Sequence, residues 1–163
     1  MNYLFVLLFF VFGTSTTNAQ DWKELSQSSL NLKYQLPHEW YVGGYALDKN
    51  CNYTGTTLNA SKNQGINMVI FSSKQISIDS LKNKQVWGYN FAPSLAKPEI
   101  IETNFLSFEK TLSTWTEDKE TTVFRFASSG SDSNYLIYFW GKLEDITKNS
   151  SIIEHILESI QTL

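Results

Sequence analysis

The chain's single cysteine and one of its two histidines are the residues whose types could support nucleophilic catalysis. Cys51 would supply a thiolate, and His38 would supply the general base. Asp48 or Glu39 could orient the histidine ring, as the third member of such a constellation does. This pattern defines one candidate activity, a small thiol-dependent enzyme.

The surroundings of Cys51 favour a different interpretation. Its neighbours are Asn50 and Asn52, and no cation nearer than Lys49 is available to activate a thiol. A lone cysteine in an oxidising compartment is a buried small residue, an intermolecular disulfide partner or a reactive thiol. We expect a packed Cys51, with the thiol enzyme kept as an alternative.

A second candidate is a calcium loop. Asp48, Asn50 and Asn52 have the spacing of its first three ligands. Tyr53 then stands where the loop requires glycine, and Asn59 stands where a bidentate glutamate should close the site. Clustered transition-metal ligands and glycine-rich phosphate loops are also missing from the sequence. We therefore predict no metal ion or other cofactor.

Aromatic residues provide the third candidate, because they make up 15% of the chain. Exposed Trp and Tyr side chains supply hot spots for protein binding and stacking platforms for sugars. Residues flanked by turns or glycine are the ones that should reach the surface. They form the predicted contact surface: His38, Trp40, Tyr41, Trp87 and Tyr89. A glycan-binding module is a further alternative on the same residues.

The first 19 residues predict a cleaved signal peptide. Their apolar run is too short to span a bilayer, and Thr17 and Ala19 occupy the small-residue positions of a cleavage site. The α-amine supplies the only positive charge at this end. Residues 20–163 are then a single globular domain of an exported protein, either periplasmic or extracellular.

Charge and hydropathy limit the partners of that domain. The net charge of −3 without a basic cluster argues against nucleic acid and against docking on anionic lipid. No second hydrophobic stretch predicts a membrane span in the mature chain. Glycosylation sequons begin at Asn52, Asn59 and Asn149, and their use depends on the secreting cell.

The stretch at residues 30–45 should organise the fold around the contact turn. Apolar and polar residues alternate to Leu36, Pro37 ends the strand, and an apolar run resumes at Trp40. Gly43 allows a bend or bulge. We predict the first hairpin of a sheet, with the contact turn between its two strands.

The remaining strands follow from apolar runs and turn residues. Residues 21–25 are predicted to be a lead-in that packs on the domain, and 48–64 a long loop or irregular edge strand. Residues 135–140 lack alternation, which predicts a central strand covered on both faces. Other strands are predicted at 66–71, 100–108, 111–116 and 121–126, the last two joined by an antiparallel hairpin.

Two helices are predicted. Asp79 is a candidate N-cap for a helix over 80–90, with Leu81 and Val86 on its buried face. Ser151 and Glu154 have the spacing of a capping box at the start of the last helix. The apolar stripe of that helix is Ile152, Ile153, Ile156, Leu157, Ile160 and Leu163.

Together these elements resemble the Mog1/PsbP-like family of small exported bacterial proteins. The matching features are a strand ending at Pro37 before Trp40, a helix at Asp79 after a short strand, the strands through Trp140, and residues 158–160 of the last helix. The resemblance implies an α+β fold, a mostly antiparallel sheet covered by helices on both faces (an α/β/α sandwich).

The resemblance also implies a type of function, since members of the family bind partner proteins or act as assembly factors more often than they catalyse. We expect an exported, non-enzymatic binding or assembly domain of the cell envelope. Its partner would be a protein or an envelope component. The alternatives are the thiol enzyme that uses Cys51 with His38 and the glycan-binding module.

Overall fold

The computed structural model describes residues 20–46, 55–83 and 90–163, and within them the chain forms ten strands and three helices. The strands are β1 (Trp22–Gln27), β2 (Leu32–Pro37), β3 (Tyr41–Ala46), β4 (Gly55–Ala60), β5 (Asn67–Ser73), β6 (Glu99–Glu102), β7 (Ser107–Thr114), β8 (Thr121–Ser129), β9 (Asn134–Lys142) and β10 (Gln161–Thr162). The helices are α1 (Ile78–Lys82), α2 (Leu143–Lys148) and α3 (Ser150–Ser159).

Several sequence predictions concern residues outside the described ranges. They are the signal peptide at residues 1–19, the calcium-loop residues Asp48, Asn50, Asn52 and Tyr53, the thiol of Cys51, the helix residue Val86 and the aromatic residues Trp87 and Tyr89. These stay predictions.

The strands form two antiparallel sheets. The larger has seven strands in the order β3-β4-β5-β9-β8-β7-β6, and the smaller has the order β1-β2-β10. The prediction that residues 135–140 form a central strand is confirmed, since β9 is the fourth of seven strands. The predicted hairpin between β7 and β8 is also confirmed, with Leu112 opposite Phe124.

Side chains from the two faces of β9 enter two separate hydrophobic clusters. Ile137 and Phe139 lie in the larger one, the α3-side cluster, with residues of β2, α2 and α3. Leu136 and Tyr138 lie in the smaller one, the α1-side cluster, with Leu81 of α1. An α+β fold with a mostly antiparallel sheet and three short helices is thereby confirmed in the described chain.

The prediction of a first hairpin within residues 30–45 is wrong. β2 pairs with β1 and β10, whereas β3 pairs with β4, so the two strands lie in different sheets. Alternation shows that one face of β2 is buried but does not specify its neighbour. The bulge is as expected, because the register of β3 against β4 shifts between Val42 and Gly44.

Three other strand boundaries differ from the predictions. The predicted lead-in is the regular strand β1, although Trp22 and Leu25 do pack on the core as expected. The predicted loop or edge at 48–64 contains β4, an inner strand. The predicted strand over 100–108 is broken by a turn in which Thr103 N–H donates to the Leu106 carbonyl at 3.0 Å, so residues 107–114 form one strand.

The helix starts also differ. α1 begins two residues earlier than predicted, because Ser77 rather than Asp79 is the N-cap and accepts from the Ser80 N–H. α3 has Asn149 as its N-cap with no side-chain bond, so the predicted capping box is wrong. Most of the apolar stripe is buried as predicted, but Leu163 is exposed, since the chain leaves the helix to form β10 against β2.

Candidate functional site

The turn between β2 and β3 presents part of the predicted contact surface to solvent. The His38 side chain is exposed, and its Nδ1 lies 3.8 Å from the Asp21 carboxylate. Tyr41 and Val42, at the start of β3, are 49% and 41% exposed. We call His38, Tyr41 and Val42 the turn surface.

Trp40 does not belong to this surface, and the expectation that it reaches solvent is wrong. Its side chain is 1% exposed and packs in the α3-side cluster. The indole Nε1 donates to Gln64 Oε1 at 2.9 Å, so the polar edge of the ring is satisfied without water. Trp40 therefore anchors the turn to the α3-side cluster.

A hydrogen-bond network surrounds that anchor. Gln64 Nε2 donates to Glu39 Oε1 at 3.1 Å, and Gln20 Nε2 donates to the same carboxylate at 3.0 Å. Lys23 Nζ donates to the backbone carbonyls of His38 and Trp40. These bonds hold both the backbone and the side chains of the turn in one arrangement.

Both histidines lie in the described part of the chain, whereas Cys51 and Asp48, which the thiol-enzyme alternative also involves, lie outside it. Asp21, rather than Glu39, is the carboxylate beside His38 in the described chain. His155 stacks on Trp22 with ring centroids 3.8 Å apart, and its Nε2 lies 2.8 Å from Gln35 Oε1. His155 therefore packs from the last helix against Trp22 and Gln35.

Two of the three sequons begin at buried asparagines. Asn59 is fully buried within β4, and Asn149 is 9% exposed, with its Nδ2 donating to the Asp145 carbonyl at 2.8 Å. A glycan needs an exposed acceptor. Neither asparagine can carry one in the folded protein, and Asn52 lies outside the described residues.

A second, concave region lies on the α1 side of the large sheet. Two adjoining open cavities of about 310 and 460 Å³ share Asn83 and Arg125 in their walls. The first is also lined by Lys82, Glu109 and Thr111. We call this region, defined by those five residues, the Arg125 cavity.

Strand register explains how Arg125 reaches this position. On β8 it lies opposite Thr111 of β7 and Tyr138 of β9. Its same-face neighbours Val123 and Ala127 belong to the α1-side cluster, so the arginine emerges from an apolar surface. The guanidinium carbon lies 4.4 Å from the centre of the Phe91 ring.

The charges around the cavity are unequally paired. Lys82 Nζ lies 2.8 Å from Glu109 Oε2 and 4.0 Å from Asp79 Oδ1. Arg125 instead donates from one terminal nitrogen to the Lys82 carbonyl at 3.4 Å, and its buried Nε has no partner. Burial lowers the pKa of Arg125, while Tyr138 and Glu109 act in the opposite direction. The guanidinium nevertheless stays charged.

Sequence reasoning missed Arg125, although a signal was present. Residues 121–129 read TTVFRFASS, which places an arginine between Val123 and Ala127 on one face of a strand. A cation in the middle of an apolar strand face is rare enough to mark a position for attention.

Among residues 20–46, 55–83 and 90–163, no three His, Cys, Asp or Glu side chains converge as a metal site. None of the helices in these ranges is long and apolar enough to cross a membrane.

Comparison with known proteins identifies the fold. The solution structure of cyanobacterial PsbP (CyanoP) from Synechocystis sp. PCC 6803 matches with a TM-score of 0.60 at 8% identity, over 94% of this chain and 99% of that chain. The crystal structure of the Saccharomyces cerevisiae Ran-binding protein Mog1p matches at 0.48 and 6% identity, over 88% and 96%. No family model and no curated protein matches the chain. The CyanoP similarity shows that the chain has the Mog1/PsbP-like fold.

Proposed function

We propose that this chain is an exported, non-enzymatic binding or assembly domain of the cell envelope, and that it binds a partner protein through the turn surface. The observation that carries the proposal is the exposure of Tyr41 and Val42 on an edge strand whose entry is fixed by the buried Trp40.

The geometry of β3 suits contact with another polypeptide. β3 is an end strand of the seven-stranded sheet as described, so one side of its backbone has no strand beside it. Successive side chains of a strand point to opposite faces, so Tyr41 and Val42 flank this edge from both sides. A partner segment that pairs with β3 would bury both side chains while satisfying the edge.

Rigidity of the turn adds to its suitability. Binding costs free energy when loops and side chains must be ordered, and a surface that is already ordered avoids part of this cost. Trp40 and Glu39, with their partners Gln64 and Gln20, hold the turn before any partner arrives. The exposed side chains are therefore presented in one fixed arrangement.

Two finer parts of the proposal have separate support. Export is supported by the apolar run and small residues of 1–19. Helical cover on both faces of the sheet is supported by Leu81 of α1 in one cluster and Ile156 of α3 in the other.

Photo-crosslinking in the producing cell tests this proposal. A benzophenone amino acid replaces Tyr41 in one variant and Phe105 in a matched control, since Phe105 is 54% exposed but lies between β6 and β7 at the opposite end of the sheet. We expect a discrete protein adduct from position 41 and none from position 105. Mass spectrometry of the adduct should show that this chain begins at Gln20.

Three outcomes would count against the proposal. Equal labelling at both positions would contradict binding through the turn surface. A glycan adduct at position 41 would show that the partner is an envelope polysaccharide rather than a protein. An adduct that retains residues 1–19 would contradict the proposal that these residues are a cleaved signal peptide.

A further inference from the structure

Arg125 and Lys23 are the partly buried cations of the described chain that lack a carboxylate partner, and Lys23 donates to two backbone carbonyls instead. Lys33, Lys82 and Lys110 have carboxylate oxygens at 3.5, 2.8 and 3.2 Å. Arg125 has the single 3.4 Å bond to a backbone carbonyl, which is at the long limit for a hydrogen bond. Burying a charge without a partner is costly. An unpaired guanidinium at a cavity wall therefore indicates a ligand that supplies the missing anion.

The Phe91 ring limits the positions open to the guanidinium of Arg125, whose central carbon lies 4.4 Å from the ring centre. Arg side chains bind planar anions with two parallel N–H bonds. Because Nε is buried, the two terminal nitrogens are the donors that a ligand in the cavity can reach. The cation is thus held ready for a planar, two-oxygen acceptor.

The rest of the cavity completes a small binding site. Asn83 lines both cavities and Thr111 lines the first, which gives polar groups beside the cation. Ala127 and Leu136 form an apolar wall on the same side of the sheet. A volume of about 310 Å³ lies at the lower end of the range for small-molecule sites.

The charge balance selects the type of anion. Asp79 and Glu109 equal Lys82 and Arg125 in number, but both carboxylates lie within 4.0 Å of Lys82, so Arg125 is the cation that a ligand in the cavity can pair with. The carboxylates of Glu109 and Asp79, both in the cavity wall, would repel a dianion more strongly than a monoanion. A planar monoanion also matches the guanidinium fork better than a tetrahedral one.

We propose that the Arg125 cavity binds a carboxylate group, which Arg125 holds through its terminal nitrogens while Ala127 and Leu136 contact the apolar part of the ligand. The site is independent of the turn surface, because β4, β5 and β9 separate β3 from β8. The carboxylate belongs either to a small organic acid or to the end of a peptide.

Titration followed by NMR at the Arg125 Nε–H tests the proposal. Phenylacetate is the probe, phenylacetamide the neutral isostere, and phosphate the tetrahedral anion. An acetylated dipeptide with a free carboxyl end, compared with its amide, distinguishes the peptide source from the small acid. We expect the Nε–H resonance to shift with the carboxylates and to stay in place with both amides.

Matched variants separate binding from folding. Arg125→Lys keeps the charge but loses the fork and should raise the Kd, measured from the backbone amide resonances of Asn83 and Thr111, at least tenfold, whereas Arg125→Met should abolish the shifts of those amides. Glu109→Gln removes a repelling carboxylate and should lower the Kd severalfold. Equal shifts with phenylacetamide, tighter binding of phosphate, or an unchanged Kd in Arg125→Lys would each overturn the carboxylate site.

Discussion

The turn surface and the Arg125 cavity lie on different strands of one sheet and are held by different kinds of interaction. At the turn, the bulky Trp40 side chain is buried and its single polar atom donates to Gln64. At the cavity, a guanidinium lies beside apolar residues, and the nearby carboxylates of Glu109 and Asp79 pair with Lys82 rather than with it. One region adds to the stability of the fold, whereas the other carries an unsatisfied charge.

The difference indicates how each region would bind. The turn surface is an exposed edge that is already ordered, so it suits a large partner that covers Tyr41 and Val42. The cavity is concave and electrostatically incomplete, so it suits a small ligand of defined charge. Measurements of stability should separate the two regions before any partner is known.

Trp40→Ala should have the largest effect on stability. Removing a fully packed indole leaves a cavity and orphans the Gln64 carbonyl, and truncations of this type cost about 3–5 kcal/mol. Urea unfolding measures the loss. Trp40→Phe is the matched control, and its loss of unfolding free energy should be less than half of the loss in Trp40→Ala. A Trp40→Ala protein within about 1 kcal/mol of wild type would show that the turn is not anchored by this residue.

Deprotonation of Tyr34 at high pH should have the second-largest effect on the unfolding free energy. Burial raises the pKa of Tyr34 to about 12, and the hydrogen bond from Asn59 only partly opposes this shift. In the unfolded chain a tyrosine titrates near 10. Between these values the unfolded state has released a proton that the native state keeps, so the unfolding free energy falls as pH rises. The stability is complete below about pH 10, and on the order of 2–3 kcal/mol is lost by about pH 12.

The same titration compares the two faces of the sheet. Tyr34 lies in the α3-side cluster, and Tyr138, whose pKa is also raised by burial, lies opposite Arg125. Urea unfolding between about pH 9 and about pH 11.5 should show a smaller decline for Tyr34→Phe and for Tyr138→Phe than for wild type. A decline unchanged in Tyr34→Phe would contradict the raised pKa of that residue.

Local patterns predicted the elements whose environment is uniform along the strand or helix. The unbroken apolar run of β9 required cover on both faces, and the helical spacing of Ile153, Ile156 and Leu157 required a buried stripe. Both predictions depend only on which residues avoid water. Partner choice is different, because β2 alternates in the same way whether it pairs with β3 or with β1.

The candidate sites show the same limit. Proximity to Pro37 and a glycine pair suggested exposure for Trp40, yet the residue points into the α3-side cluster because β2 and β3 lie in different sheets. The Arg125 cavity joins residues of α1, β7 and β8, and no local spacing connects Lys82, Glu109 and Arg125. A site built from cross-strand neighbours can be recognised only when the register of the strands is known.

Arg125→Met should have the smallest effect on stability and most sharply separates the two regions. The substitution loses the stack on Phe91 and the long bond to the Lys82 carbonyl, each worth about 0.5–1.5 kcal/mol. It also removes the cost of burying an unpaired charge, and apolar replacements of buried charges are often neutral or stabilising. The two contributions oppose each other, so the unfolding free energy should change by less than about 1 kcal/mol.

Lys82→Met is the matched control, because it breaks an existing pair and leaves Glu109, which is one-third exposed, without its cation. It should therefore destabilise the protein more than Arg125→Met does, although exposure limits the difference to about 1 kcal/mol. A loss above about 2 kcal/mol in Arg125→Met would identify the arginine as a structural residue. The unpaired guanidinium would then no longer indicate a ligand, and the contrast between an ordered turn and an incomplete cavity would disappear.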